Sequence, residues 1–458
     1  MANSNIHDYI HPGAKLHLIG IGGVSMAPLA EVLKGMGVEV TGSDAHDSAT
    51  LTRLGELGIQ ISVGHWARNV HGAQAVIRTA AVHDENPEIM EARSLGIPVF
   101  ERAQAWGSIM RGYPNALCIS GTHGKTTTTS MCTHIVMAAG RDPTVMIGGT
   151  LPLLGAGHRV GGGDTIILES CEYCNSFLSF CPTVAVILNI EADHLDFFHD
   201  LDDIEHSFRT FAGLVPEGGT VVANCEDANT MRALEGLPQA VLTFGLESGD
   251  IHAQELTWEK GFPTFDIVHG GTRLAHVTLR APGLHNVKNA LAAAAAAVAL
   301  GIHGSAVEAG LQAFHGPARR FEYKGSFQGA QVYDDYAHHP GELSALLEAT
   351  AALGYERVIC AFQPHTYTRT EAFFHEFAAA LRKPDLTLLA EIFAAREENE
   401  TGISSRQLAD AVPGSRYFST LDALADYIRE IARPGDLILT VGAGDIYTVG
   451  EALTEPLL

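Results

Sequence analysis

Short apolar runs recur along the chain, each closing on glycine or a polar side chain and most leading into a stretch of helical character. KLHLI from Lys15, Val38 to Thr41, Asn115 to Ile119, Thr165 to Glu169, Val184 to Asn189, Thr220 to Ala223 and Ala240 to Phe244 read as strands. VYDD, RVICAF, DLTLLA and DLILTV repeat the plan toward the C-terminus. Between them, Ala27 to Met36 reads as a helix with Pro28 tolerated in its first turn. Further helices follow Lys125 and Glu342, and NALAAAAAAVALGI, from Asn289 to Ile302, is an alanine-rich one. Strand, polar loop and helix in this alternation predict an α/β protein. Glycine turns after the first strand and, as GTHGKT, after Asn115 to Ile119 predict a Rossmann-like N-terminal part and a P-loop ATPase-type parallel sheet in the centre, and the repeated plan predicts a doubly wound α/β domain at the C-terminus.

At 458 residues the chain exceeds one hydrophobic core. Tyr113-Pro114 and the GPARRFEYKG stretch read as linkers, giving expected domains 1–113, 114–317 and 318–458. A formal net charge of −24 argues against nucleic acid or an anionic membrane as partner. The alanine-rich run falls short of the ~20 residues a membrane span needs. MANSNIHDYIHPGAK has no apolar core flanked by basic residues, so no signal peptide is expected, and seven cysteines without one read as reduced thiols of a cytoplasmic protein.

The densest chemical signal is LCISGTHGKTTTTSM, Leu117 to Met131. A strand, a turn through Gly121 and Gly124, and a helix opening on Lys125 and Thr126 make a phosphate cradle: loop amides face the anion, the lysine reaches the terminal phosphates, and the threonine hydroxyl can hold Mg²⁺. The spacing is shorter than the general pattern, with Ile119 where its first glycine would stand. Glu169, and His194 in IEADHLD, close the next two strands, and acidic and imidazole groups at the ends of parallel strands belong in a ligand crevice.

Near the N-terminus, Gly20, Gly22 and Gly23 form a tight turn, with Asp44 about twenty positions on, where a ribose contact is expected. Ser25 and Met26 replace the last fingerprint glycine, which favours a nucleotide diphosphate over NAD and leaves an NAD-dependent oxidoreductase as a lesser alternative. Cys171, Cys174 and Cys181 lack a clear fourth ligand, so they read as thiols of a packed loop and no zinc is assigned. Asn286 is placed either to cap the alanine-rich helix or to read a base edge. Asp334, Asp335, His338, His365, Arg369 and Asp445 fall at strand ends of the C-terminal unit.

GIGGVSMAPLA, SGTHGKTTTTSM, LESCEYCNSFL, NIEADHLDFF, PGLHNVKNALAA, GPARRFEYKG, YDDYAHHPGEL, FQPHTYTRT and GAGDIY, in that order, resemble the Mur ligases over nearly the whole chain. The resemblance implies three domains and a reaction in which ATP phosphorylates a carboxylate and an amine displaces the phosphate. DDYAHHP and FQPHTYTRT point within the family to addition of L-alanine to the lactyl carboxylate of UDP-N-acetylmuramate. The murein-recycling tripeptide ligase is the alternative. ATP and Mg²⁺ are the implied cofactors, and a monomer or homodimer is expected.

By motif position, Gly121, Thr122, Gly124, Lys125, Thr126 and Thr127 bind ATP, with Lys125 on the β/γ-phosphates. Thr126 and Glu169 ligate its Mg²⁺, and His194 a second one. Asn286 reads adenine with His285 against the ring. Gly20, Gly22, Gly23, Ser25 and Asp44 hold UDP, and His123 and Asn189 line the sugar and lactyl side. Tyr336, His338 and Arg369 approach the amino acid or the acyl phosphate, while Arg320 and Asp335 meet the nucleotide. Two departures stand out. No lysine occurs between His194 and Lys260, where several sister ligases carry a carbamylated one, and Arg209 occupies that neighbourhood. Thr366 stands where many alanine-adding relatives have arginine, which shifts the amino-acid contact toward Arg369.

Overall fold

The computed structural model describes residues 5–79, 81–195, 197–395 and 397–454. The chain forms two compact units, the first comprising the sequence up to His252 with Ile267–Ala275 and Asn289–Gly310, the second the remainder.

The first unit opens on a parallel sheet of β1 (Lys15–Ile19), β2 (Glu39–Asp44), β3 (Gln60–Val63), β4 (Ala75–Arg78) and β5 (Val99–Glu101), in the order β3-β2-β1-β4-β5. The order reverses beside β1, so the glycine turn after Ile19 opens at the switch point where ligands of such sheets bind. The helix after it spans Met26–Gly35, one residue ahead of expectation.

A second sheet follows: β6 (Asn115–Ser120), β7 (Thr144–Leu151), β8 (Ala156–Arg159), β9 (Thr165–Glu169), β10 (Val184–Ile187), β11 (Thr220–Asn224) and β12 (Ala240–Gly245). Its order in this unit is β12-β11-β10-β6-β9-β7-β8, with β7 and β8 an antiparallel hairpin. β6 lies between β10 and β9, all parallel, so Ser120, Ile187 and Glu169 end at one edge. β10 stops two residues early because Leu188 and Asn189 leave the ladder for the loop after β6: the Leu188 amide donates to the Ser120 carbonyl and the Asn189 carbonyl accepts from Thr122.

Three further strands, β13 (Ile251–Glu259), β14 (Phe262–His269) and β15 (Thr272–Thr278), precede the alanine-rich helix, which runs Leu284–Ala299. That helix begins earlier than expected, placing Asn286 inside its first turn, where the side-chain amide donates to the Pro282 carbonyl at 2.8 Å. In the second unit, β16 (Glu322–Phe327), β17 (Ala330–Asp335), β18 (Arg357–Phe362), β19 (Leu386–Ala390), β20 (Arg416–Phe418) and β21 (Asp436–Val441) build a sheet ordered β16-β17-β21-β18-β19-β20. Only β16 pairs antiparallel.

Two close approaches fix the packing of helices in the first unit. The helix Arg102–Met110 packs on the 3₁₀ segment Tyr173–Ser179 through Gly107, where an added Cβ would lie 1.8 Å from the Ser179 carbonyl oxygen. The helix Gly304–Gln312 meets the helix Lys125–Ala138 through Gly310, whose added Cβ would lie 2.5 Å from the Ile135 Cα. Both obstacles are backbone and cannot swing aside. Gly107→Ala is therefore expected to cost about 2–3 kcal/mol and to lower the thermal midpoint measurably, with Gly96→Ala, on an open turn, as a comparison in which only the φ of +71° is strained.

Candidate functional site

The loop after β6 is shaped by two glycines that tolerate no side chain. Gly121 has φ +140° and a Cβ there would stand 2.9 Å from Leu188 Cβ; Gly124 has φ +82° and a Cβ there would stand 2.5 Å from Asn289 Oδ1. Gly124 caps the helix Lys125–Ala138, whose first amides and dipole thus face the loop. Asn189 braces the turn reciprocally, its Oδ1 accepting from the His123 amide at 2.8 Å and its Nδ2 donating to the His123 carbonyl at 3.2 Å. Thr122 is buried, and its Oγ1 accepts from the Glu191 amide. Thr127 is buried in the first helical turn.

Lys125 turns back into this loop. Its ammonium donates to the Gly121 and Thr122 carbonyls and to both oxygens of Glu172, at 3.1 and 3.0 Å. Burial opposes its charge, but Glu172, Cys171 and Glu169 together outweigh that and raise the pKa above the ordinary lysine value. Thr126 Oγ1 donates to Glu169 Oε1 at 3.0 Å, while Glu169 Oε2 accepts from the Gly148 amide at 2.7 Å. A hydroxyl and a carboxylate at a helix N-terminus are hard oxygen donors of the kind Mg²⁺ takes, so the pair fits that ion.

His194, on a positive φ of 54°, has Nε2 3.8 Å from Glu172 Oε1. Tyr173 packs on its ring at 4.7 Å between centroids. The sequence-predicted Lys125, Thr126, Glu169 and His194 thus converge, and Glu172 links the lysine to the histidine. Glu172 escaped the sequence reading, although it stands three residues after Glu169 in LESCE; Asn289 and Gly148 were missed because nothing local marks them. Arg209 donates to the Ala233 and Glu235 carbonyls at the end of the helix Ala228–Leu234.

At the first sheet, Gly20 has φ +77°, and the Gly22 amide donates to Asp44 Oδ2 at 2.9 Å, so Asp44 holds the glycine turn itself. The Gly23 amide closes the turn on the Gly20 carbonyl. Ser25 stands at the helix start, with its hydroxyl making no capping bond. Beneath them lies a buried polar knot: Glu88 accepts from Ser43 Oγ and Asn69 Nδ2 and meets His17 and His65.

In the second unit, Arg320 lies over the Tyr336 ring at 5.3 Å and 3.6 Å from Glu342. His338 Nδ1 is 3.0 Å from the Tyr336 carbonyl, with His365 beside its ring, and Arg369 reaches His365 Nδ1 at 3.4 Å. Asp335 spends both oxygens on backbone, accepting from Phe321 and Ala337, and burial pushes its pKa up to about 6. It is therefore a brace of the loop carrying Arg320 and Tyr336. Arg319, which the sequence reading passed over, clamps Asp334 and the Gly442 and Gly444 carbonyls. Asp445 Oδ1 accepts from Gln363. Thr366 has φ +68° and its amide donates to the Phe393 carbonyl.

Burial, reinforced by Arg320, lowers the His285 pKa to about 4, and burial with Arg369 and Arg320 does the same for His338. A histidine depressed in the folded state gives stability that is present above its unfolded value near 6.5 and lost as pH falls from there toward 4. Ring proton resonances of both residues should accordingly titrate near pH 4, and the second unit should lose stability on acidification through that window. His338→Gln should flatten the loss.

A family model described as Mur ligase middle domain matches residues 119–297, one described as Mur ligase family, catalytic domain matches 15–114, and one described as Mur ligase, glutamate ligase domain matches 319–444. The UDP-N-acetylmuramate--L-alanine ligase of Caldanaerobacter subterraneus subsp. tengcongensis is 43% identical over 447 residues, covering 96% of this chain and 97% of that one. Its counterpart in Acetivibrio thermocellus is 44% identical over 443 residues, covering 95% and 94%. Among solved structures, the UDP-N-acetylmuramate-alanine ligase of Thermotoga maritima matches with a TM-score of 0.80 at 28% identity, over 96% of this chain and 98% of that one. A murein peptide ligase from Psychrobacter arcticus shares the fold, with a TM-score of 0.71 at 24% identity over 96% and 98%.

Proposed function

The chain belongs to the Mur ligase family, and on that premise we infer that it is an ATP-dependent ligase joining L-alanine to the lactyl carboxylate of UDP-N-acetylmuramate, a step of peptidoglycan precursor synthesis. The near full-length likeness to relatives named for alanine addition carries the choice of substrates.

The loop geometry supports the use of ATP. A carboxylate is a poor electrophile, and moving a phosphoryl group onto it requires fixed positive charge around the transferring oxygens. Lys125 supplies that charge once γ-phosphate replaces Glu172 as its partner, while the loop amides orient the anion. Thr126 and Glu169 would hold Mg²⁺ with its ATP, and His194 a second ion; when bound, these ions neutralise phosphate charge. L-Alanine's amine then attacks the acyl phosphate and phosphate leaves. Tyr336, His338 and Arg369 receive the amino acid or acyl phosphate, Arg320 and His285 the nucleotide, with Asn286 toward adenine. Arg369 is the cation for the amino-acid carboxylate, since Thr366 offers none. Gly20, Gly22, Gly23, Ser25 and Asp44 take the UDP moiety, with His123 and Asn189 on the lactyl side.

Domain boundaries near 113 and 317 are part of this reading, supported by the gaps between the three family matches. So is a cytoplasmic location: among the described residues no helix is long and apolar enough to cross a membrane. Phosphate release should require UDP-N-acetylmuramate, ATP and L-alanine together. Release with an alanyl-glutamyl-diaminopimelate tripeptide but not with L-alanine would reassign the enzyme to recycling.

A further inference from the structure

We propose that Cys171, Glu172 and His194 form a second kind of cation site, one for a borderline-soft divalent metal of which zinc is the type, and that its occupation shuts the ligase off. One ligand atom from each residue lies within 4.8 Å of those of the other two. The sequence reading dismissed zinc by seeking a fourth ligand among Cys171, Cys174 and Cys181. The fold supplies instead an imidazole from the loop after β10 and a carboxylate next to the cysteine.

The spacing suits such an ion. Zinc held at ~2.0–2.3 Å by nitrogen, oxygen and sulfur puts tetrahedral ligand atoms about 3.3–3.6 Å apart. His194 Nε2 and Glu172 Oε1 are already at 3.8 Å. Three protein ligands leave the fourth position to water, the arrangement of an open zinc site. The histidine is held for it: the His194 amide donates to Asp193 Oδ1, and its carbonyl accepts from the amides of Phe197 and Phe198. Asp193 Oδ2 also stands 3.9 Å from His194 Nε2 and adds a second carboxylate on the side where the cation would sit.

Donor chemistry separates this site from that of the ATP-bound magnesium. Mg²⁺ demands an octahedron of oxygens, which Thr126 and Glu169 begin to supply, and gains nothing from sulfur. A thiolate with an imidazole selects zinc or cobalt, and the affinity order of divalent metals runs the same way. Binding releases the Cys171 proton to solvent and leaves a zinc–thiolate bond. The consequence follows from a shared ligand: His194 is committed to the wrong ion, and the second magnesium of the ligase reaction loses its place. Only this consequence rests on the ligase reading; cation binding does not.

Reduced, magnesium-free protein should take up one equivalent of Co²⁺ with a near-ultraviolet thiolate-to-cobalt charge-transfer band. Cys171→Ser should abolish the band and weaken zinc binding at least tenfold in competition with a chromophoric chelator, while Cys174→Ser keeps both. In phosphate-release assays at saturating Mg²⁺, zinc should inhibit the wild type, and Cys171→Ser should need at least tenfold more zinc for half inhibition. A band and affinity that survive Cys171→Ser overturn the site. Binding without inhibition overturns the switch. If no alanine-dependent phosphate release occurs at all but the band still depends on Cys171, the cation site stands and the ligase reading falls.

Discussion

Replacing Lys125 by alanine is expected to lower alanine-dependent phosphate release by a factor of about 10³ and to destabilise the first unit at the same time. The kinetic effect follows from the position of the ammonium, which opens the helix Lys125–Ala138 and can reach an anion in the turn from Gly121 to Gly124. The stability effect follows from what the lysine holds when no nucleotide is bound. Glu172 is almost completely buried, and it accepts from Lys125 through both oxygens. Removing one partner of a buried pair leaves an uncompensated charge, a loss of about 3–5 kcal/mol. A double variant, Lys125→Met with Glu172→Gln, should therefore recover most of the melting temperature and none of the activity. Thermal melts beside phosphate-release assays separate the two effects, and full turnover by Lys125→Ala would remove the loop from the mechanism.

Glu169→Gln should lower turnover about 100-fold and raise the Mg²⁺ concentration for half-maximal rate by about 10–100-fold. The substitution keeps the shape and one acceptor, so the contact with Thr126 or with the Gly148 amide can persist while the negative charge is lost. The melting temperature should consequently change little. A magnesium titration of the variant decides the matter: an unaltered Mg²⁺ requirement would take Glu169 out of the metal site.

Elements with local signatures were legible before the structure. Buried strands such as Thr165–Glu169 declare themselves by apolar runs, and the glycines at 121 and 124 by the turn they make. Boundaries drifted where long-range bonds compete with the local pattern, as at β10, whose last two expected residues serve the phosphate loop instead. Partners distant in sequence were not legible. Asn289 against Gly124, and Gly148 against Glu169, are consequences of packing alone. Asp335 shows the converse: a carboxylate at a strand end invites a ligand role, and the fold adds a bracing one, since each of its oxygens accepts from a backbone amide. His194 likewise comes within reach of Cys171 and Glu172 only through the fold.

The contact between Gly310 and the backbone of Ile135 leaves the phosphate-loop helix no room to slide along that face. An anchored helix acts as a fixed anvil: a piston stroke of this element past Gly310 would meet backbone, whereas Lys125 at its N-terminal end can change partners without moving the helix. Amide hydrogen exchange along Met131–Ala138 should then be equally slow with and without ATP, while any protection gained on binding stays confined to the turn that precedes Lys125.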